Sequence, residues 1–430
     1  MASFKIHRSW LSRKGLTEID VTLAKLRVTV NDRNVTEYSY NNGDRSEHLE
    51  IPVYFLAEWL AENWWPLLWE PRKSEDVGDD PDFLARHSIL TAQHGFALPK
   101  LSIIPHGESI LVAVVSREVE FSNIRFRNGG SISLLRKETE SELKRFVGGV
   151  AERLVGCSIE RTGLQEVWSL IENTAEDEMQ FCQFMGALGL SPYAENDRIE
   201  ETLDRVSSNI GSRLTLDLCL ASTPENFDSS AHIAELAHVA MSSAPSCTLE
   251  PLAAIPIPAD NYSVPGYQRG VEAARRVRNK LGFKENDPHG ANSLFEILKI
   301  DPTKITPNID AGADNSIIGA VAREDLDAKI VLLQRMEVKR RFAAARAAYT
   351  AWDSEGQDGS RLMTHVVTRD QQASRAFAAE ITAPIAYLRH AAKRSKLSQE
   401  RVFELAANLN IGPDVVRKHA QNNGLEIMPT

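Results

Sequence analysis

Four of the chain's seven tryptophans, Trp59, Trp64, Trp65 and Trp69, fall within eleven consecutive residues. That much aromatic surface in one place is either buried against other elements or presented to a ligand, and each outcome dictates what forms around it. The apolar positions 55, 56, 59, 60 and 64 share one helical face, and Pro66 is expected to end the pattern. No Arg or Lys is interleaved with the Trp run, which argues against a stacking platform for nucleic acid. The segment 51–70 therefore reads as the core of a small α+β domain. An aromatic platform for a base or a peptide is the competing reading.

The surrounding residues 1–135 look β-rich. Residues 21–30 partly alternate, 109–116 form a buried-strand candidate, and 121–126 continue as a strand closed by the turn at Asn128-Gly129-Gly130. Between 136 and 250 the spacing turns helical, over 138–155, 163–172, 177–188, 197–214 and 232–244. Prolines 251, 256, 258 and 265 suggest a linker over 251–264. Residues 265–430 then mix helices (270–281, 292–298, 338–352, 371–383 and a final pair within 398–422) with strands at 316–321 and 328–333. The expected fold class is α+β: a β-rich N-terminal domain (1–135), a helical middle domain (136–250), a linker (251–264) and an α+β C-terminal domain (265–430).

Several chemistries lack their usual signals. With 49 Lys and Arg against 59 Asp and Glu, the net charge of −10 provides no global basic field for nucleic acid. The four cysteines, at 157, 182, 219 and 247, include no CxxC pair and read as buried reduced thiols. The start MASFKIHRSWLSRKG has no apolar core of a signal peptide, and no run approaches the ~20 apolar residues of a membrane span, so a cytoplasmic protein without membrane contact is expected. Neither GxSxG, GxxxxGK[ST] nor GxGxxG occurs. His232 and His238 are six apart and do not share a helical face, while His87, His94, His106 and His365 form no cluster in sequence.

Four segments, in order, resemble one family: Ala273–Gly282 (AARRVRNKLG), Ser293–Leu298 (SLFEIL), Lys339–Arg346 (KRRFAAAR) and Phe377–Pro384 (FAAEITAP). On them the C-terminal domain resembles the ImmA/IrrE family of metallopeptidase-like proteins. The resemblance implies a zinc-peptidase fold in which one helix carries two His at i, i+4 with a Glu beside the first, and a later Glu completes the metal site. Those positions here hold Arg346, Thr350, Ala347 and Gln371. A guanidinium has no lone pair to give, Ala has no proton to move, and a neutral amide is a poor zinc ligand beside a carboxylate. The expectation is a degenerate metal site with no metal, no cofactor and no catalytic residues: a pseudo-peptidase.

Arg335, Lys339 and Arg346 run down one side of the same helix. A buried Arg346 calls for a carboxylate, for which Glu380 or Asp370 is the natural candidate; an anion site built on these cations is the alternative. By resemblance, the chain is expected to be a non-catalytic regulatory or protein-interaction component of a prokaryotic stress-response, mobile-element or phage-defence (antiviral) system. Its expected partner is a repressor-like or defence-system protein. The tail 399–424 also resembles a helix-turn-helix, with Ala406 at the helix crossing, Asn410-Ile411-Gly412 as the turn and Val416 packing the second helix. Arg417, Lys418, Gln421 and Asn422 would then face DNA, which makes a DNA-associated transcriptional regulator the alternative function. An enzyme with an unrecognised site is the third reading. No feature sets an oligomeric state.

Overall fold

The computed structural model describes residues 3–11, 16–73, 80–120, 122–309, 316–354 and 359–428. The fold is mixed α+β, with several small antiparallel sheets in the N-terminal part and helices dominating later. The chain forms two compact units, Met1–Glu195 and Asn196–Thr430. Among the described residues no helix is long and apolar enough to cross a membrane.

In the first unit, strand Phe4–Trp10 pairs antiparallel with Leu23–Val30, which pairs in turn with Leu49–Pro52 and the short Arg33–Asn34. Inward residues Phe4, Ile6, Leu26 and Val28 alternate with outward Lys5, His7 and Arg27, as a sheet buried on one face requires. The edge strand Phe4–Trp10 is covered by helix Arg136–Gly156. Glu142 on that helix is buried and accepts from the Ile6 N–H at 2.5 Å, while Arg145 donates to the Ile6 carbonyl at 2.7 Å. The Ile6 backbone groups, which an edge would leave open, are thereby satisfied within the unit.

The tryptophans belong to this core. Trp59, Trp64 and Trp65 are buried; Trp64 meets Trp168 edge-on at 5.2 Å, and Arg136 lies 3.5 Å over the Trp69 ring. Both indole N–H groups that leave the apolar core find acceptors, Trp59 on the Ala85 carbonyl (3.0 Å) and Trp65 on the Tyr193 hydroxyl (3.1 Å). These rings are packing, and the aromatic-platform reading is set aside. Pro66 does not end the pattern. The helix Tyr54–Glu62 stops at Asn63, and Pro66 lies in the first turn of a second helix, Trp64–Trp69, where a missing N–H costs nothing.

The second unit is built on an antiparallel sheet in the order Ser246–Thr248, Asp327–Leu332, Ile317–Glu324, Ser360–Thr364. Unbroken burial over Ile317–Val321 shows that both faces are covered. Helices Ser212–Ala221, Phe227–Ser243 and Glu337–Asp353 all pack on it. The expected three-part division differs from this arrangement. Helices Arg136–Gly156, Gly163–Glu172 and Met179–Ala187 belong to the first unit and Asp197–Ile210 onward to the second, so no separate helical domain stands between. The helix expected over 197–214 breaks at Gly211, whose φ of +80° a Cβ would strain. The segment expected as a linker is tied down: Arg276 donates to the Pro256 carbonyl (3.0 Å), Arg269 to that of Pro258 (2.9 Å), and Arg369 to Asp260 (2.6 Å) and the Val264 carbonyl (2.7 Å).

Helices Gly266–Lys280 and Arg369–Thr382 make the closest approach in this unit. A Cβ on Gly270 would stand 2.0 Å from the Ala373 carbonyl oxygen, and one on Gly266 would stand 2.9 Å from the Arg369 Cα. Gly270→Ala is therefore expected to push the helices apart and cost about 1–3 kcal/mol or more, read as a lowered urea midpoint. An unchanged midpoint would show that the backbones are not in contact there.

Candidate functional site

Helix Glu337–Asp353 carries a run of small residues, and Ala343, Ala344, Ala345, Ala347 and Ala348 are all buried. Their size lets the helix lie close to Arg369–Thr382 and to the sheet, so the long side chain at position 346 has nowhere to go but inward. Arg346 is 1% exposed. Its Nη2 donates to the Gln371 Oε1 at 2.6 Å and to the Thr364 carbonyl at 2.9 Å, and its Nε donates to the Ser374 hydroxyl at 3.3 Å. Thr368 caps the helix Arg369–Thr382 and places Gln371 in its first turn, beside the end of strand Ser360–Thr364.

The Gln371 amide serves that strand as another backbone would. Its Oε1 accepts from the Thr364 N–H at 3.1 Å, and its Nε2 donates to the Leu362 carbonyl at 2.9 Å. A glutamate could accept both N–H groups but has no donor for the Leu362 carbonyl. The geometry thus has a use for an amide that a carboxylate does not meet. Of the four expected metal-site positions, the structure brings Arg346 and Gln371 together; Ala347 is fully buried, and Thr350 is half-buried, its carbonyl accepting from Ser354. These four residues supply no imidazole and no carboxylate, so they do not fit a zinc ion. Among the described residues, no three His, Cys, Asp or Glu side chains group as metal ligands would.

The expected ion pairing is corrected. Glu380 lies nine positions beyond Gln371, about 13 Å along the helix, and turns to a different partner. It meets His419 Nε2 at 3.0 Å and accepts from the Ile385 N–H at 3.3 Å, both groups buried. Asp370 instead pairs with Arg361 at 3.2 Å, and that guanidinium also holds the buried Asp217 at 2.9 Å. Burial alone would raise the Asp370 carboxyl, but the Arg361 charge leaves it below the usual range. Arg335 and Lys339 are exposed and not gathered with Arg346; Arg335 donates to the Ile309 carbonyl at 2.8 Å. The three cations Arg335, Lys339 and Arg346 do not form one anion pocket.

Further along the same helix, Asp353 receives both Nη groups of Arg269, at 2.7 and 2.6 Å. Burial pushes the Asp353 carboxyl up against the opposing pull of Arg269, and burial likewise raises the Tyr349 phenol. Together these groups clamp three helices and a strand. What the arrangement does is hold these elements in register.

The tail adopts the expected form. Helices Gln399–Leu409 and Pro413–Asn422 are joined through Asn410, at φ +52°, with Ala406 and Val416 buried between them. Lys418, Gln421 and Asn422 are exposed, whereas Arg417 is half-buried and bonded to Asp414. His419 points inward to Glu380, so the tail is fastened to the helix that carries Gln371.

Sequence reading missed a buried triad in the first unit. Glu70 receives Arg86 through two 2.7 Å bonds and meets His87 Nε2 at 3.0 Å, while His87 Nδ1 meets the Ile103 carbonyl at 2.7 Å. Both carboxylate and ring are sealed from solvent, which marks a structural cluster. Its signal was available only in part: Arg86 and His87 close a helix opened by Asp80, but Glu70 lies outside that helix.

The four cysteines form no disulfide, and Cys182, Cys219 and Cys247 are buried. Compared with family models, curated proteins and solved structures, the chain matches none.

Proposed function

We propose that residues 265–430 are a non-catalytic relative of the ImmA/IrrE metallopeptidase-like scaffold, and that the chain works as a regulatory or protein-interaction component. One observation carries the reading. Arg346 and Gln371, distant in sequence and both at positions where the resemblance puts metal ligands, meet at 2.6 Å in a buried site. A guanidinium–amide pair then performs the cross-linking a metal would perform, without its Lewis acidity. The resemblance assigns the partner to the repressor-like or defence-system proteins of prokaryotic stress-response, mobile-element or phage-related systems.

The test is elemental analysis of the purified chain together with its thermal midpoint before and after chelation. Zinc well below one per molecule and an unmoved midpoint are expected. Stoichiometric zinc, or a peptide-cleaving activity that a chelator abolishes, would remove the proposal. Duplex binding through 398–424 is the competing reading, favoured by the exposed row Lys418, Gln421 and Asn422. It requires binding that falls steeply with salt and is lost in Lys418→Glu.

A further inference from the structure

The outer face of the first sheet carries a second feature, independent of the Arg346 site. His7, Ser9, Lys25, Arg27, Thr29 and His48 line a cleft of about 460 Å³. The strand register sets His7 directly opposite Arg27, Ser9 opposite Lys25, and Lys5 opposite Thr29. Across this strand pair each rung therefore offers a nitrogen cation or imidazole with a hydroxyl or a second cation. Opposed side chains stand about 5 Å apart and successive rungs about 7 Å apart, which puts several donors within reach of one anionic group.

Two carboxylates lie near these rungs among the described residues: Glu50, opposite Lys25 on strand Leu49–Pro52 and 3.6 Å from both Lys25 and His48, and Glu142, 3.5 Å from Lys5. Arg27 is exposed and has no hydrogen-bond or ion-pair partner among the described residues. In a chain of net charge −10, a concave face with this balance runs against the overall field. No Trp, Tyr or Phe is among the cleft's lining residues, so it lacks the large stacking rings that single-stranded nucleic acid favours. Its volume falls in the range of small-molecule sites.

We propose that this cleft binds a small phosphorylated molecule. Arg27 grips the phosphate oxygens in a forked contact, Lys25 supplies a second charge, and His7, Ser9 and Thr29 complete the donor set. The ligand class is a compact phosphate ester or polyphosphate bearing at least two negative charges.

Isothermal titration of the full chain with inorganic pyrophosphate, at ionic strength fixed with potassium chloride, tests this. Saturable binding at a single site is expected, weakened about tenfold or more in Arg27→Gln and in Lys25→Gln. Lys144→Gln, an exposed change on helix Arg136–Gly156, is expected to leave it untouched. Far-UV circular dichroism and thermal midpoints of the three variants keep folding apart from binding, since all three side chains are at least partly solvated. Absence of saturable heat overturns the proposal, as does an equal loss in all three variants. A single-stranded oligonucleotide that binds across several nucleotides more tightly than pyrophosphate, and is lost in Arg27→Gln, would replace it with a polyanion surface.

Discussion

Replacing Arg346→His, Ala347→Glu, Thr350→His and Gln371→Glu together is expected to turn the chain into a zinc protein holding about one metal per molecule. Positions 346 and 350 are one helical turn apart, and the polar ends at 346 and 371 already meet at 2.6 Å. Zinc ligands bond the metal at about 2.0–2.2 Å and therefore lie within about 3–3.5 Å of one another. Side chains that now share hydrogen bonds would share a cation once each carries a lone pair. The metal-free variant should be less stable than the parent, because a glutamate at 371 leaves the Leu362 carbonyl without its donor. Added zinc should then raise its thermal midpoint. Elemental analysis after dialysis is the primary readout. A variant with parental circular dichroism that holds no zinc would show that these positions never formed a metal site.

Acidification is expected to strip stability from the first unit through Glu70. Burial alone would raise its carboxyl, but the hydrogen bonds from Arg86 and His87 outweigh burial and hold it down at about 2, against an ordinary value of 4.5. A folded-state value below the unfolded one means that folding favours the charged form. The contribution is therefore complete above about pH 4.5 and is lost as pH falls towards 2. At about 1.4 kcal/mol per unit it amounts to roughly 3 kcal/mol. In Glu70→Gln the half-buried Arg86 guanidinium loses its counter-charge and the buried His87 ring its carboxylate partner, so a penalty of about 3 kcal/mol is expected at pH 7. The penalty should shrink towards pH 3. Urea unfolding of both proteins at the two pH values measures it, and a gap that does not change with pH would remove Glu70 as the cause.

Much of the local structure was legible. Helix Gly163–Glu172 forms over the residues its spacing marked, because Thr162 and Gln165 make a reciprocal cap at its start. The tail pair and its turn at Asn410 follow from the same local chemistry. Domain membership was not legible. The apolar faces of Ser212–Ala221 and Phe227–Ser243 look alike whichever sheet they cover, and the pairing that fastens the first of them joins Asp217 to Arg361, 144 residues away. The candidate site divides in the same manner. The identity of the four changed positions could be read from the chain, but Ser374 and the Thr364 carbonyl as partners of Arg346 could not, since both depend on how the strand and helix meet.

The bonds from Glu142 and Arg145 to Ile6 also impose an order on biosynthesis. Strand Phe4–Trp10 leaves the ribosome more than 130 residues before the side chains that close its edge. Throughout that interval the nascent chain displays one open edge of the strand pair, able to recruit another copy on the same polysome. A message truncated ahead of residue 142 would make this exposure permanent, so its product would depend on holdase chaperones to stay dispersed while the full-length chain would not.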